Sequence, residues 1–259
     1  MVVIYDSGVG GLTSLFALRR LCPHIDVAYF GDTAHVPYGA HSEETICRYA
    51  EAMLHAAAAL SPEAVLVACG TVSSVCLPQL AKKYPFPIHG ILEAGVEEAL
   101  RAAPGGRIAL LGTEATIRKG TLASLLHKKR KGLSLRGIAC PLFVPLVECG
   151  YTDPFDPIPR MVAIRMLAPL GSFSPEAILL GCTHFPWLSR VIAPLYPKAK
   201  LIDCGRAAAR RLVPQLTKTE EEGKTFFYLT EEASTFRRTA ERICGKIPEG
   251  EYRALPQNE

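Results

Sequence analysis

No two of the nine cysteines in this chain form a CxxC pair, and none of their spacings resembles a zinc site. Free thiols in a reducing cytoplasm are therefore the simplest expectation. No uncharged apolar stretch reaches membrane-spanning length, and Asp6 in the opening MVVIYDSG arrives before a signal-peptide apolar segment could form. A soluble, cytoplasmic protein with no membrane partner is expected. Charge is sparse: 21% of the 259 residues are charged, and 29 basic against 25 acidic side chains leave a formal net charge of +4. Nothing concentrates that excess into a nucleic-acid footprint. The densest basic run, His127 to Lys131, reads as the solvated end of a helix. The turn DSGVGG lacks both the GxGxxG dinucleotide spacing and the lysine of a P-loop, so it reads as a tight strand-to-helix turn.

What is present is apolar: 49% of the chain is hydrophobic, enough to bury a substantial core in one large or two smaller domains. Met1 to Tyr5, Asp26 to Phe30, Ala64 to Ala68, Ile88 to Ile91, Arg107 to Leu111, Leu135 to Ala139, Ala177 to Leu180 and Lys200 to Ile202 read as strands. Most are nearly continuous apolar runs, as in strands covered on both faces. Helix-like stretches such as Leu12 to Leu21 and Ser42 to Leu60 lie between them, and the alternation indicates parallel α/β sheets. A faint internal echo accompanies it. Asp6 to Cys69 spans 69 − 6 = 63 residues, and Thr113 to Cys182 spans 182 − 113 = 69. Two related domains would give this pattern, and so would strand–turn–helix units that merely look alike. After the acidic TEEEGK turn, the FFYL run is expected to return to the first domain.

VLVACGT and ILLGCTH each place a cysteine after an apolar strand, Cys69 and Cys182. Ligands of open α/β sheets bind at the carboxyl ends of strands, where helix N-termini offer free N–H groups. Asp6, Ser7, Cys69, Thr71, Thr113, Cys182, Thr183 and His184 all fall at such ends. A helix start is expected to lower a thiol's pKa. Two thiols facing across a cleft could remove a proton from one face of a carbon and deliver one to the other. Cys22, Cys47, Cys76, Cys140, Cys149, Cys204 and Cys244 read instead as small buried hydrophobes. Asp6 could cap its helix or assist a thiol, and His184 and Glu148 could be structural or tune Cys182.

Together, DSGVGGL from Asp6, YFGDTAHVPYG from Tyr29, VACGT from Val67, LLGTEATI from Leu110, CPLFVPLVE from Cys140 and GCTHFP from Gly181 resemble the glutamate racemase family of cofactor-independent amino-acid racemases. The resemblance implies two similar parallel-sheet α/β domains facing each other across an active-site cleft, residues 1–95 with 206–259 and residues 96–205. It implies glutamate held between them without pyridoxal phosphate or metal, D-glutamate feeding peptidoglycan synthesis, and an assembly that is often a homodimer. By position it makes Cys69 and Cys182 the acid/base thiols, Cys69 acting on D-glutamate and Cys182 on L-glutamate, with Asp6, Glu148 and His184 assisting. It makes Asp6, Ser7, Tyr38, Gly39, Gly70, Thr71, Thr113, Thr116, Thr183 and His184 the substrate contacts. The family usually carries Asn where this chain has Gly70. With backbone or water replacing that contact, Gly70→Asn is expected to raise affinity or leave it unchanged. The rivals are a racemase of aspartate or another acidic compound, a hydrolase using one cysteine with His184, and a non-enzymatic partner-binding role.

Overall fold

The computed structural model describes residues 1–217, 220–246 and 249–256. Among the described residues, ten strands form two sheets in which every pairing is parallel. The first sheet comprises β1 (Val2–Asp6), β2 (Val27–Gly31), β3 (Ala64–Val67), β4 (Ile88–Gly90), and, from the tail, β9 (Thr225–Leu229) and β10 (Glu251–Arg253). The second comprises β5 (Arg107–Gly112), β6 (Ser134–Ala139), β7 (Ala177–Leu180) and β8 (Lys200–Asp203). The helices between them are α1 (Leu12–Leu21), α2 (Glu43–Ala58), α3 (Gly70–Val75), α4 (Leu77–Leu80), α5 (Leu92–Ala102), α6 (Glu114–Lys119) and α7 (Thr121–Lys129). After these come α8 (Phe143–Glu148), α9 (Pro157–Leu167), α10 (Ser189–Ile192), α11 (Cys204–Leu212) and α12 (Ala233–Cys244).

Local chemistry explains the best-read helix. Ser42 caps α2 by accepting from the Thr45 N–H, Glu43 and Glu44 occupy the positive end, and Ile46, Ala50, Met53, Leu54 and Ala57 form its buried stripe. The basic run ends α7 with His127, Lys128 and Lys129 exposed, as the sequence indicates. The FFYL run does rejoin the first sheet beside β2, and β10 extends it. Thr219 of the acidic turn lies outside the described residues.

The first sheet runs β10-β9-β2-β1-β3-β4 and the second β6-β5-β7-β8. Dropping the two tail strands leaves the same order in both, so the internal echo is architectural. Tyr5 pairs with Val67, and Leu111 with Leu180. Cys69 and Cys182 thus stand two residues past equivalent steps. That register aligns Thr113 with Ser7, one residue from the Asp6 that the spacing suggested.

Side chains of Val2, Ile4, Val27, Tyr29 and Leu66 enter one core, and those of Val3, Tyr5, Ala28, Phe30, Val65 and Val67 enter another. This is the alternation expected of a sheet covered on both faces. The first core continues through α11, which packs on both α1 and α5, into the second sheet.

The cysteines need one correction. Cys47 on α2 and Cys76 after α3 form a disulfide, with Cα atoms 5.3 Å apart, because helix packing brings together residues 29 apart in sequence. The other seven are free, and among them Cys149 is exposed and Cys244 half-buried rather than buried.

Candidate active site

The carboxyl ends of the two sheets meet at a cavity of about 110 Å³, lined from the first sheet's side by Ser7, Tyr38, Gly39, Cys69, Gly70 and Thr71. Thr113, Cys140, Glu148, Cys182, Thr183 and His184 line it from the other. A buried water needs roughly 10–15 Å³ on this measure, so about ten water-sized groups fit, the scale of a small amino acid. Both cysteines therefore open on one space, each from its own sheet.

Cys69 precedes α3 and is 4% exposed. Its Sγ lies 3.5 Å from Ser7 Oγ. Burial, then the nearby Asp6 carboxylate, push this thiol up to about 12. The expected lowering by the helix start is overturned, because a six-residue helix offsets little of the cost of a thiolate in a dry site. Asp6, at the end of β1, is fully buried; its Oδ1 accepts from the Gly8 N–H at 3.0 Å and its Oδ2 from Thr183 Oγ1 at 3.2 Å. Burial raises its pKa against the opposing pull of His184 and these hydrogen bonds.

On the other wall, Cys182 Sγ lies 3.9 Å from His184 Nδ1, and His184 Nε2 lies 2.9 Å from Glu148 Oε1 at the end of α8. Burial pulls the imidazole down, but its contacts with Cys182 and Glu148 outweigh that and raise it to about 10. A cationic ring beside the thiol follows at neutral pH.

Hydroxyls complete the site. Thr71 Oγ1 and Thr113 Oγ1 are 3.1 Å apart across the cleft, and Thr116, behind the wall, lies 3.0 Å from Thr113 Oγ1 while its N–H also donates to it. Thr116 and Asp6 do not line the cavity themselves. The Tyr38 hydroxyl donates to Asp32 and lies 3.0 Å from that of Tyr5, so its ring rather than its hydroxyl faces the space. Among the described residues, no Lys or Arg lines the cavity, and no group of three or more His, Cys, Asp or Glu could hold a metal ion. Val36, Pro37, Val144 and Pro145 also line it and went unread, since apolar wall residues look like core in sequence. Cys140, read as a buried hydrophobe, does line the site, and burial pushes it up to about 12.

Gly70 differs from the expectation. A Cβ there would stand 1.8 Å from the Gly181 carbonyl oxygen, so an Asn side chain does not fit without moving backbone.

Two parallel-sheet domains closing on one small cavity, with a thiol on each wall, place the protein among the two-domain α/β isomerases. The family model for Asp/Glu/hydantoin racemase matches residues 16–212, and the chain belongs to that family. Glutamate racemase of Aquifex aeolicus (strain VF5) is 40% identical over 243 residues, which are 94% of this chain and 93% of that protein. Glutamate racemase from Thermus thermophilus in complex with beta-chloro-D-alanine superposes with a TM-score of 0.87 at 36% identity, covering 98% of this chain and 96% of that one. The Francisella tularensis enzyme in complex with D-glutamate gives 0.89 at 28% identity, covering 98% and 96%.

Proposed function

We propose that this chain is a glutamate racemase that interconverts L- and D-glutamate with two thiols and no added cofactor. The observation that carries the reading is the pair of cysteines at equivalent steps of the two sheets, both opening on one cavity. With L-glutamate, the Cys182 thiolate takes the α-hydrogen as a proton, and the electron pair stays on the α-carbon, delocalised into the carboxylate. Cys69 then gives its S–H proton to the opposite face and becomes the thiolate. D-glutamate runs the same steps in reverse.

The two walls suit these parts. A thiol pushed up to about 12 holds the proton that Cys69 must donate, and His184, raised to about 10, sets a positive charge beside Cys182. Asp6 positions Thr183, and Glu148 orients His184. Ser7, Thr71 and Thr113 offer hydroxyls to the substrate carboxylates, Gly70 and Thr71 offer the N–H groups of a helix start, and Thr183, whose hydroxyl donates to Asp6, shapes the wall with Tyr38 and Gly39. Thr116 holds Thr113.

D-glutamate made in the cytoplasm would supply peptidoglycan synthesis. The domains would divide as 1–95 with 206–259 and 96–205, which fits a chain leaving the first sheet after β4 and returning at β9. A homodimer would cover the exposed Phe155, Ile158, Met161 and Ile164 on and beside α9.

Circular dichroism of the purified protein with each enantiomer of glutamate and of aspartate tests the reading. Glutamate is expected to reach a racemic mixture from either side, and aspartate to turn over at least about tenfold more slowly, because the shorter diacid leaves polar groups unpaired. Comparable turnover of aspartate would remove the glutamate assignment.

A further inference from the structure

Three glycines beyond the carboxyl ends of β1, β2 and β3 face residues of the opposite wall with no room for a methyl group. A Cβ on Gly10 would lie 2.4 Å from Thr183 Oγ1 and 2.6 Å from His184 Nδ1, and one on Gly39 would lie 2.7 Å from Thr113 Cβ. The Thr183 and His184 atoms belong to side chains that can rotate, whereas Thr113 Cβ is fixed to its own backbone. Gly70 is different: its Cβ would lie 1.8 Å from the carbonyl oxygen of Gly181 and 2.9 Å from the carbonyl carbon. That carbonyl cannot swing away cheaply, because the Gly181 N–H donates to Leu111 at 2.8 Å and continues the sheet ladder.

Gly70 directly follows Cys69, and Gly181 directly precedes Cys182. Their contact joins the two thiol-bearing backbones without any side chain between. We propose that Gly70 is a positioning residue: its bare Cα lets the Cys69 wall seat on Gly181, and that seating fixes the separation of the two thiols across the substrate's α-carbon. The proposal rests on the two-thiol reading above. Hydrogen bonds on the same seam hold the fit, between the Thr71 and Thr113 hydroxyls at 3.1 Å, from Thr183 to Asp6 at 3.2 Å and from Thr121 Oγ1 to the Ser74 carbonyl at 2.8 Å. A side chain at position 70 has to part them. Each thiol then keeps its own wall, but the two no longer reach opposite faces of one carbon together.

A displacement near 1 Å costs roughly 100-fold in such chemistry. Gly70→Ala is therefore expected to lower kcat about 100-fold for both enantiomers, with KM changing less, and Gly70→Asn to lower it at least as far. Both variants should still melt cooperatively, since Gly70 is no part of the apolar core that joins the two sheets through α1, α11 and α5. The decisive readout is partition in deuterated water. In the wild type, inverted product forms faster than deuterium enters recovered substrate; in Gly70→Ala the order reverses, because one thiol still removes and returns a proton while delivery from the other face fails. Wild-type kcat and wild-type partition in Gly70→Ala would overturn the proposal, as would failure of both variants to fold. A wild-type protein that does not racemise glutamate would instead remove the underlying reading.

Discussion

Cys69 and Cys182 hold the same step on equivalent strands, yet their neighbours are unlike. Cys69 sits with Ser7 and near the Asp6 carboxylate, and burial with that charge keeps it a thiol up to about 12. Cys182 sits 3.9 Å from an imidazole that Glu148 helps to hold protonated. Duplicated backbone supplies two opposed positions, and the side chains around them give the two walls different electrostatics, a buried carboxylate on one and a raised imidazole on the other. Thermodynamics limits what this asymmetry can do. The enantiomers have equal free energies in water, so kcat/KM must be equal in the two directions at every pH. The difference between the walls can show only in how that ratio divides into kcat and KM, and in the half-reactions.

The most severe way to break the comparison is to remove one thiol. Cys69→Ala and Cys182→Ala should each lower racemisation at least about 1000-fold in both directions. Exchange of the α-hydrogen with solvent, followed by NMR, should survive only for L-glutamate in the first and only for D-glutamate in the second. Exchange of both enantiomers in either variant would end the assignment of one thiol per face. Asp6→Asn removes a charge that raises Cys69 and should cost about 100-fold in kcat while making Cys69 more acidic. Alkylation rate against pH reads that acidity, and an unchanged profile would detach Asp6 from the first wall.

Glu148→Gln acts on the other wall and should cost about tenfold. His184 is raised above its ordinary 6.5 to about 10, so its charge is present at neutral pH and is lost as pH rises through about 10. Without the Glu148 contact that loss should begin at lower pH, shifting the alkaline limb of kcat/KM downward. An unmoved limb would mean His184 does not govern it. The smallest effect on activity belongs to Cys47→Ser, which opens a 29-residue loop. Stability should drop by about 3–4 kcal/mol by loop entropy, read as a lower denaturant midpoint, with kcat unchanged at 25 °C.

The strands were legible because buried parallel strands are short apolar runs; all eight of the first-read strands exist, with ends displaced by a residue or so. The paired cysteines were legible because the same run precedes each. What depended on docking was not. Nothing in the sequence brings Cys47 to Cys76, turns the Tyr38 hydroxyl toward Asp32, or lays Gly70 on Gly181, since each contact joins elements that meet only after the helices and sheets pack. The acidity of Cys69 was misread for a related reason: motif and helix start are local, whereas burial is a property of the closed cleft. β10, three residues long with exposed ends, carries no apolar run to announce it.

Whether two thiols work on opposite faces of one carbon is read most directly from early-time racemisation of L-glutamate by the wild-type protein in deuterated water. With two thiols, the D-glutamate formed should carry deuterium at the α-carbon while the remaining L-glutamate retains hydrogen, because the delivered proton comes from Cys69, which has exchanged with solvent. Retention of the original hydrogen in the product, or equal deuterium in both enantiomers from the first moments, would show one base serving both faces and would contradict the two-thiol mechanism.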